Sequence, residues 1–423
     1  MTCHLKFALG ALANAIMAGG LVLPVTAQGP LQSSAEAPGA SSWQIQAQLS
    51  QGYTNNATVS ITQPQADATT SLTLQLNRTW AGPHSNFFIQ YTPQGMSFAK
   101  NTRLDYISQA YLQTWSLDAT PHTKLNWTLN ANHFPERGGM PGLGISSVGT
   151  VAAASQAMDL GTTLTQANST FSLSHEYSLR SSWSASFAGR WMDFSPDHAL
   201  AQEPGQPGPA PASQSRSLDS NFTWSHQVSP DRSLTLGGTD TELWFSNPSQ
   251  RHRYASAQVG LVQQLGAGMS LQLSGGPSWN WALGQQPNTT ALPGNTYAAG
   301  ATLSEQVGAS QLDLSWQHSD QAGLIAGSIT TDRLSVQAVR PLGKAWTTSA
   351  SIGNNRTASL APGTPALSGL FASAQIAYRM AQWSFQGNAT YYNQDTPAAP
   401  ATLAQLSRLQ LSLGLVYTLQ GAH

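Results

Sequence analysis

Apolar and polar residues alternate with period two along most of the chain after residue 42, which places every second side chain on one face of a strand. In residues 43–49 the odd positions are Trp43, Ile45, Ala47 and Leu49, and the even positions are glutamines. The same alternation recurs at residues 71–80, 124–133, 183–191, 218–228, 255–265, 269–275, 346–354, 383–391 and 408–419. The pattern predicts an all-β protein.

The connections between these segments alternate between short and long. Short connections lie at residues 81–85, 180–182, 229–232, 266–268, 341–345 and 380–382. Long ones, rich in Pro, Gly, Ser and Ala, lie at residues 135–168, 194–217, 277–295, 355–368 and 393–404. About nine long and about eight short connections imply roughly 18 strands, with both termini at the short-turn end. The alternation of short and long connections predicts a transmembrane antiparallel up-and-down β-barrel with short periplasmic turns and long external loops.

The composition favours a membrane barrel over a soluble β-sandwich. Charged residues make up 9% of the chain, whereas soluble proteins average about 25%. The polar face of the segments carries mainly Gln, Ser, Thr and Asn, whereas a water-facing sheet usually carries Lys and Glu. Lipid offers no partner for backbone N–H and C=O groups, so a sheet can span a bilayer only if it closes on itself. The 18 basic and 19 acidic residues give no basic bias, which argues against nucleic acid as a partner.

The first 27 residues have the features of a secretory signal peptide. Lys6 precedes an apolar run over residues 7–25, and the small residues of Val25-Thr26-Ala27 predict cleavage after Ala27. A retained membrane helix is the alternative, but several Gly residues and Pro24 would make it a weak span. We expect residues 28–41 to form a short periplasmic segment and residues 42–423 to form the barrel. The single cysteine, Cys3, lies in the signal peptide, so the mature chain is expected to have no thiol or disulfide.

Tryptophans recur beside the short turns, at Trp80, Trp115, Trp183, Trp346 and Trp383. A single Trp is usually a core residue, but five at one rim predict an aromatic girdle where the barrel meets the outer-membrane lipid.

The last segment, residues 412–419, resembles the C-terminal insertion signal of bacterial outer-membrane proteins, with Gly414, Tyr417 and Leu419 at its key positions. The tail at 420–423 departs from that signal, which typically stops at an aromatic residue. The chain after residue 42 also resembles uncharacterised β-barrel porins of Gram-negative bacteria, some of which are connected with polysaccharide secretion. These resemblances imply insertion by the barrel-assembly machinery and residence in the outer membrane of a Gram-negative cell.

No motif for catalysis, a cofactor or a metal stands out. None of the ten histidines has a zinc-binding spacing. Asp197-His198 is a polar pair in a predicted external loop, and Ser174-His175 and Ser225-His226 each place neighbouring side chains on opposite faces of a strand. We expect no enzyme, no cofactor and no bound metal.

The alternation also predicts which charges face the lumen of the barrel: Lys124, Glu176, Arg190, Asp219, Asp313, Arg333, Arg379 and Arg408. They could set ion selectivity or stiffen the wall through mutual salt bridges, and the sequence favours neither. Strict alternation would place Asp240 and Glu242 in lipid. We therefore predict a β-bulge at Gly237-Gly238 that turns both carboxylates into the lumen.

A barrel of this size is wide enough for an aqueous channel unless a loop folds inward, and the stretch at 135–168 is the predicted constriction. The leading hypothesis is a porin or export channel that passes polar, neutral or weakly charged solutes, such as saccharides, by passive diffusion. The alternative is a closed surface barrel that acts in adhesion or binding through its external loops. A membrane-embedded hydrolase and a soluble secreted β-protein are less favoured. No feature of the sequence indicates an oligomeric state.

Overall fold

The computed structural model describes residues 41–57, 64–136, 162–196, 213–246, 249–282, 295–322, 328–359, 367–395 and 405–422. Eighteen strands form one sheet. They are β1 (Ser41–Thr54), β2 (Asp67–Ala81), β3 (Ser85–Phe98), β4 (Tyr106–Thr120), β5 (Thr123–Glu136), β6 (Thr162–Ser178), β7 (Ser181–Pro196), β8 (Ser213–Ser229), β9 (Arg232–Ser246), β10 (Ser249–Gly266), β11 (Met269–Ala282), β12 (Asn295–Val307), β13 (Ser310–Ala322), β14 (Ser328–Leu342), β15 (Trp346–Ser359), β16 (Leu367–Met380), β17 (Trp383–Asp395) and β18 (Gln405–Ala422).

A 3₁₀ helix, Thr102–Leu104, lies between β3 and β4. Within the described ranges, no helix has the length and apolar character that crossing a membrane requires.

The sheet closes on itself because the first strand pairs with the last. Each strand is antiparallel to the next in the chain, and β1 pairs with β18 from Ser42 opposite Ala422 to Thr54 opposite Gln410. The closed sheet therefore has no unpaired edge, which is the condition for a β-structure in lipid. The predicted fold, an antiparallel up-and-down barrel of about 18 strands, is confirmed.

One end of the barrel carries the tight turns. The eight connections at this end have two or three residues each, at 82–84, 121–122, 179–180, 230–231, 267–268, 308–309, 343–345 and 381–382. Gly268 and Gly343 supply the positive φ angles, +93° and +78°, that such reversals need. Short turns of outer-membrane barrels face the periplasm, so this end is called the periplasmic end and the other the external end. β1 begins and β18 ends at the periplasmic end, as predicted.

Several strands extend further toward the external end than the alternation predicted. β6 begins at Thr162 and β8 at Ser213, inside the stretches assigned to loops at 135–168 and 194–217. Beyond the bilayer the outer face needs no apolar side chains, so the alternation fades there while the backbone pairing continues. The β9–β10 connection has two residues, 247–248, so one external connection is short.

The two faces of the sheet differ in chemistry. On the outer face Leu49 lies between Leu72 and Leu415, and large apolar side chains of this face stay exposed, up to 73% for Leu413. No protein covers them, so this apolar face is the surface that meets lipid. On the inner face Gln75 donates a hydrogen bond to Asn77, and Asn77 donates one to Gln44 on the neighbouring strand.

The five tryptophans of the predicted girdle lie on the outer face near the periplasmic end. Trp80 packs against Phe87, Trp346 against Tyr378 and Trp383 against Tyr417, with ring centroids 5.3, 4.6 and 4.5 Å apart respectively. Trp115 lies opposite Trp127 and Trp183 opposite Trp224.

The three residues of the predicted insertion signal lie in β18. Leu419 and Tyr417 point outward, opposite Ile45 and Ala47. Gly414 points inward, where a Cβ atom would lie 2.8 Å from the Ser50 hydroxyl. A larger residue at position 414 would therefore disturb the seam between β18 and β1.

The β1–β18 seam can be tested with paired cysteines. Gln46 and Thr418 lie directly opposite each other and both point into the lumen. Their Cα atoms should be about 4.5–5.5 Å apart, which a disulfide can span. With Cys3→Ser as background, Gln46→Cys with Thr418→Cys is expected to form a disulfide in the folded barrel. Non-reducing electrophoresis after boiling would detect it as a shifted band. Gln46→Cys with Tyr417→Cys, which point to opposite faces, should not form it, and equal yields from both pairs would contradict the seam.

Candidate functional site

The inner wall of the barrel is built from uncharged polar side chains that hydrogen-bond across neighbouring strands. Hydroxyl pairs recur around the barrel: Thr239 with Ser256 at 2.7 Å, Ser278 with Thr296 at 2.6 Å, and Ser315 with Ser335 and Ser351 with Ser373 at 2.7 Å. These residues lie on the inner face because the outer face takes the alternate, apolar positions. A solute in the lumen therefore meets a wall of neutral donors and acceptors.

The inward-facing charged side chains that the structure describes are balanced in sign. The eight residues that the alternation placed on the inner face lie there, and Asp67 and Asp118 join them. The basic members are Lys124, Arg190, Arg333, Arg379 and Arg408, and the acidic members are Asp67, Asp118, Glu176, Asp219 and Asp313. Asp118 was missed because it lies at the end of β4, where the alternation is weak.

Most of these charges are held against the wall. Asp219 accepts hydrogen bonds from Thr241 at 2.7 Å and from Ser217 at 3.2 Å. The Arg333 guanidinium lies over the Phe371 ring at 5.3 Å. Lys124 and Asp118 approach to 3.9 Å, but both side chains are more than half exposed, so the pair contributes little stability. The described wall thus carries scattered charges, most of them partnered, and no ring of one sign.

The bulge predicted at Gly237-Gly238 is wrong. Both glycines keep continuous register with β8, where Gly237 lies opposite Thr223 and Gly238 opposite Phe222, and the register with β10 is also unbroken there. Asp240 and Glu242 therefore stay on the outer face, in the same alternation as Leu234 and Leu236.

Two arginines on β10 make this placement possible. Arg253 donates to Asp240 through Nε and Nη2, both at 2.9 Å, and Arg251 pairs with Glu242. A neighbouring cation satisfies each carboxylate, so no bulge is needed to remove it from lipid. The sequence carried a usable signal, since Asp240 and Glu242 have the same two-residue spacing as Arg251 and Arg253 across a predicted hairpin.

At the external end, many of the described inward-facing side chains are buried. We call this ring of residues the external collar; it includes Leu164, Met192, Leu243, Asn280, Phe371 and Arg408, none more than 8% exposed. At the periplasmic end, inward-facing residues such as Lys124, Glu176 and Gln311 are exposed. The described inward-facing side chains are therefore more exposed toward the periplasmic end than toward the external end.

On the β1–β4 side the cover is the connection between β3 and β4. Leu104 of the 3₁₀ helix is 1% exposed and packs with Ala57, Met96, Phe98 and Tyr106. Met96, Phe98 and Tyr106 point inward, so the 3₁₀ helix lies on the luminal side of the wall. The alternation of apolar and polar residues did not predict this inward segment, because its residues lie between strands.

Asp67 holds this connection in place. Its carboxylate accepts hydrogen bonds from the backbone N–H of Lys100 at 3.0 Å and of Asn101 at 2.9 Å, and from the Asn101 side chain at 2.9 Å. Hydrogen bonds to a charged acceptor are among the stronger ones in proteins. Asp67 therefore fastens the inward segment to the start of β2.

The predicted constriction at 135–168 falls mostly at 137–161, outside the described residues. Asp197 and His198 also lie outside them. A hydrogen bond of 2.7 Å between Ser181 and His226 lies on the outer face at the periplasmic end, beside Trp224, whose ring stacks on that of His226. No three His, Cys, Asp or Glu side chains of the described residues come together as a metal site.

Comparison with solved structures gives similarity at the level of the fold. The FrpB iron transporter from Neisseria meningitidis has a TM-score of 0.51 at 8% identity, covering 87% of this chain and 65% of that one. OccK2 (OpdF) from Pseudomonas aeruginosa has a TM-score of 0.49 at 13% identity, covering 90% and 98%. The outer membrane protein opdK from the same organism has a TM-score of 0.49 at 9% identity, covering 90% and 99%.

No protein-family model and no curated protein matches the chain. The likeness to FrpB concerns the barrel fold alone. A closed barrel with an apolar outer face is the architecture of outer-membrane proteins, and the protein belongs to the outer membrane of a Gram-negative bacterium, as predicted.

The continuous register of β9 can be tested with spin labels. Labels on Thr239→Cys and Thr241→Cys should face the lumen and relax with a water-soluble nickel chelate, whereas a label on Leu236→Cys should relax with lipid-soluble oxygen. A bulge at Gly237-Gly238 would reverse the result at positions 239 and 241 and leave that at position 236 unchanged.

The role of Asp67 can be tested by proteolysis. Asp67→Ala removes the acceptor for the Lys100 and Asn101 backbone groups, so the β3–β4 connection should open more often. Tryptic cleavage after Lys100 or Arg103 in the folded protein is expected to become at least about tenfold faster. Asp219→Ala, which removes an inward carboxylate far from this connection, is the control. Equal cleavage rates for Asp67→Ala and the parent protein would contradict the assignment.

Proposed function

We propose that the protein is an outer-membrane channel through which polar, neutral or weakly charged solutes, such as saccharides, diffuse passively. The observation that carries the proposal is the inner wall, where Gln, Asn, Ser and Thr side chains present neutral hydrogen-bonding groups along the lumen. Sugar hydroxyls are both donors and acceptors, so they can exchange their hydrogen bonds with water for bonds to such a wall. The proposal covers movement in either direction, including export of a saccharide.

The width of the barrel supports an aqueous path. Barrels of about 16–18 strands leave a water-filled lumen unless chain segments fill it. The five basic and five acidic inward-facing residues named above balance each other, and most are partnered in the wall. Such a wall favours neither cations nor anions strongly, which suits an uncharged cargo.

The external collar favours a second candidate, a closed surface barrel that binds or adheres through its external loops. Its inward-facing side chains are covered by protein, as Leu104 covers Met96 and Phe98. In this case the loops would be the functional part, and the barrel would be their scaffold. Solute flux separates the two functions.

For biogenesis, we propose that the barrel-assembly machinery recognises β18 through Gly414, Tyr417 and Leu419. These residues lie on the strand that closes the barrel against β1, so recognition would hold the last strand until its partner is available.

Solute flux can be measured in proteoliposomes under iso-osmotic saccharide. The proposal predicts swelling faster than that of protein-free vesicles, with monosaccharides entering faster than trisaccharides. Ser186→Trp adds bulk to the inner wall and should lower the flux, more for the larger sugar. Ala185→Trp, one residue away on the outer face, should leave the flux unchanged. Swelling no faster than that of empty vesicles would contradict the channel and favour the closed barrel.

A further inference from the structure

The ion pairs on the outer face of β8–β10 form a patch that the channel proposal does not use. The patch consists of Asp240 and Glu242 on β9, Arg251 and Arg253 on β10, and Arg216 on β8. Its residues are neighbours in the sheet, because Glu242 lies opposite Arg253 and Trp244 lies between Arg216 and Arg251. We propose that this patch binds the phosphate groups of lipopolysaccharide in the outer leaflet.

The height of the patch on the barrel matches that leaflet. Leu236 is in register with Trp224, which lies opposite the girdle residue Trp183, and Glu242 is six residues further toward the external end of the same strand. Two rises add up: six residues along the tilted strand, and the row of paired residues that climbs toward the external end from β7 to β9 and β10. Together they place Glu242 and Arg253 about 20–25 Å above the girdle at Trp183. The apolar band of an outer-membrane barrel is about 25 Å tall. The arginines therefore lie where the hydrocarbon ends and the lipid headgroups begin.

Aromatic residues at the same height support this placement. Arg251 lies over the Trp244 ring at 5.7 Å, and Arg253 lies over the Trp281 ring at 6.0 Å. Tryptophan rings prefer the boundary between lipid tails and headgroups. The patch thus combines cations and indole rings at the external boundary, as Arg78 and Trp80 do at the periplasmic one.

The geometry of the guanidiniums leaves room for a second anion. Arg253 donates the Nε–H and one Nη2–H to Asp240. A guanidinium has five N–H donors, so the others remain available to a second anion. The side chains of Arg251 and Arg253 remain 49% and 50% exposed despite their ion pairs. Because the carboxylates hold both arginine side chains in one orientation, less side-chain entropy is lost when a phosphate binds through the remaining donors.

The charge of the patch also favours an anion. Three arginines face two carboxylates on β8–β10, and among the described residues no acidic side chain forms an ion pair with Arg216. Asp193 on β7 lies opposite Gln214, beside the patch, and accepts a hydrogen bond from Ser195. Arg216 is the member with the most donors left for a phosphate.

The uneven distribution of charge around the barrel argues for a specific site. On the external half of the outer face, the described side chains of β16–β18 and β1–β4 carry no Asp, Glu, Lys or Arg. General contact with headgroups would act on all sides of the barrel alike. The charges are instead concentrated on β7–β10, with a smaller group of His318, Asp332 and Arg356 on β13–β15.

Binding of lipid A to the purified full-length protein in detergent tests the proposal. The probes are lipid A with both phosphates and the same lipid after dephosphorylation, and native mass spectrometry measures the bound fraction. The parent protein is expected to bind the phosphorylated form at least about tenfold more tightly. The double variant Arg251→Gln/Arg253→Gln should reduce this preference, and the further change Arg216→Gln should abolish it. Arg78→Gln, which changes an outward arginine beside a Trp at the periplasmic end, should keep it.

Removal of both arginines leaves two carboxylates without cations, so the loss of binding could result from misfolding. A second variant serves as the control. Asp240→Asn/Glu242→Gln removes the competing negative charges, and the amide oxygens can still accept hydrogen bonds from Arg251 and Arg253 and hold them in place, so this variant should bind phosphorylated lipid A at least as tightly as the parent. Weaker binding by this variant would overturn the proposal, as would equal binding of the two lipids by the parent. If the parent protein forms a dimer or trimer that dissociates in Arg251→Gln/Arg253→Gln while lipid binding is unchanged, the patch is a contact between protein copies instead.

Discussion

The structure depends on one constraint: in lipid, every backbone N–H and C=O group must find its partner within the protein. The pairing of β1 with β18 meets this constraint, because it removes the two edges that an open sheet of 18 strands would expose. Closure in turn separates an outside from an inside. Each strand must then alternate, with apolar side chains toward the hydrocarbon and polar ones toward the lumen, and its length must match the bilayer.

The alternation of each strand gives the barrel two faces with different functions, an inner wall around the lumen and an outer surface in contact with lipid. On the inner face, uncharged polar groups hydrogen-bond across neighbouring strands, as Ser315 does with Ser335, so the wall is polar and largely neutral. The outer face has to tolerate polar groups only near its two rims. At the periplasmic rim Arg78 lies over Trp80, and at the external rim Arg253 pairs with Asp240. The lumen and the external patch are therefore separate sites on one scaffold, and a change in one should leave the other intact.

The sequence predicted the fold well because closure, strand number and face follow from local alternation and from the rhythm of the connections. It failed where an interaction crosses between strands. Asp240 and Glu242 were assigned to the lumen because a lone carboxylate in lipid is costly, and only the register with β10 reveals their partners Arg251 and Arg253. The inward position of the β3–β4 connection was not predicted for a related reason. Asp67 and Asn101 are 34 residues apart, and no periodic pattern joins a strand start to a loop.

Both the luminal wall and the external patch exist only if the chain forms a closed barrel in the outer membrane. Gel mobility of the protein extracted from outer membranes tests it most directly, because a closed barrel resists dodecyl sulfate until it is heated. If the barrel is closed, the unheated protein migrates as a compact species and boiling shifts it to the mobility of an unfolded chain. Recovery of the protein outside the outer-membrane fraction, with the same mobility before and after boiling, would contradict a closed barrel in the outer membrane.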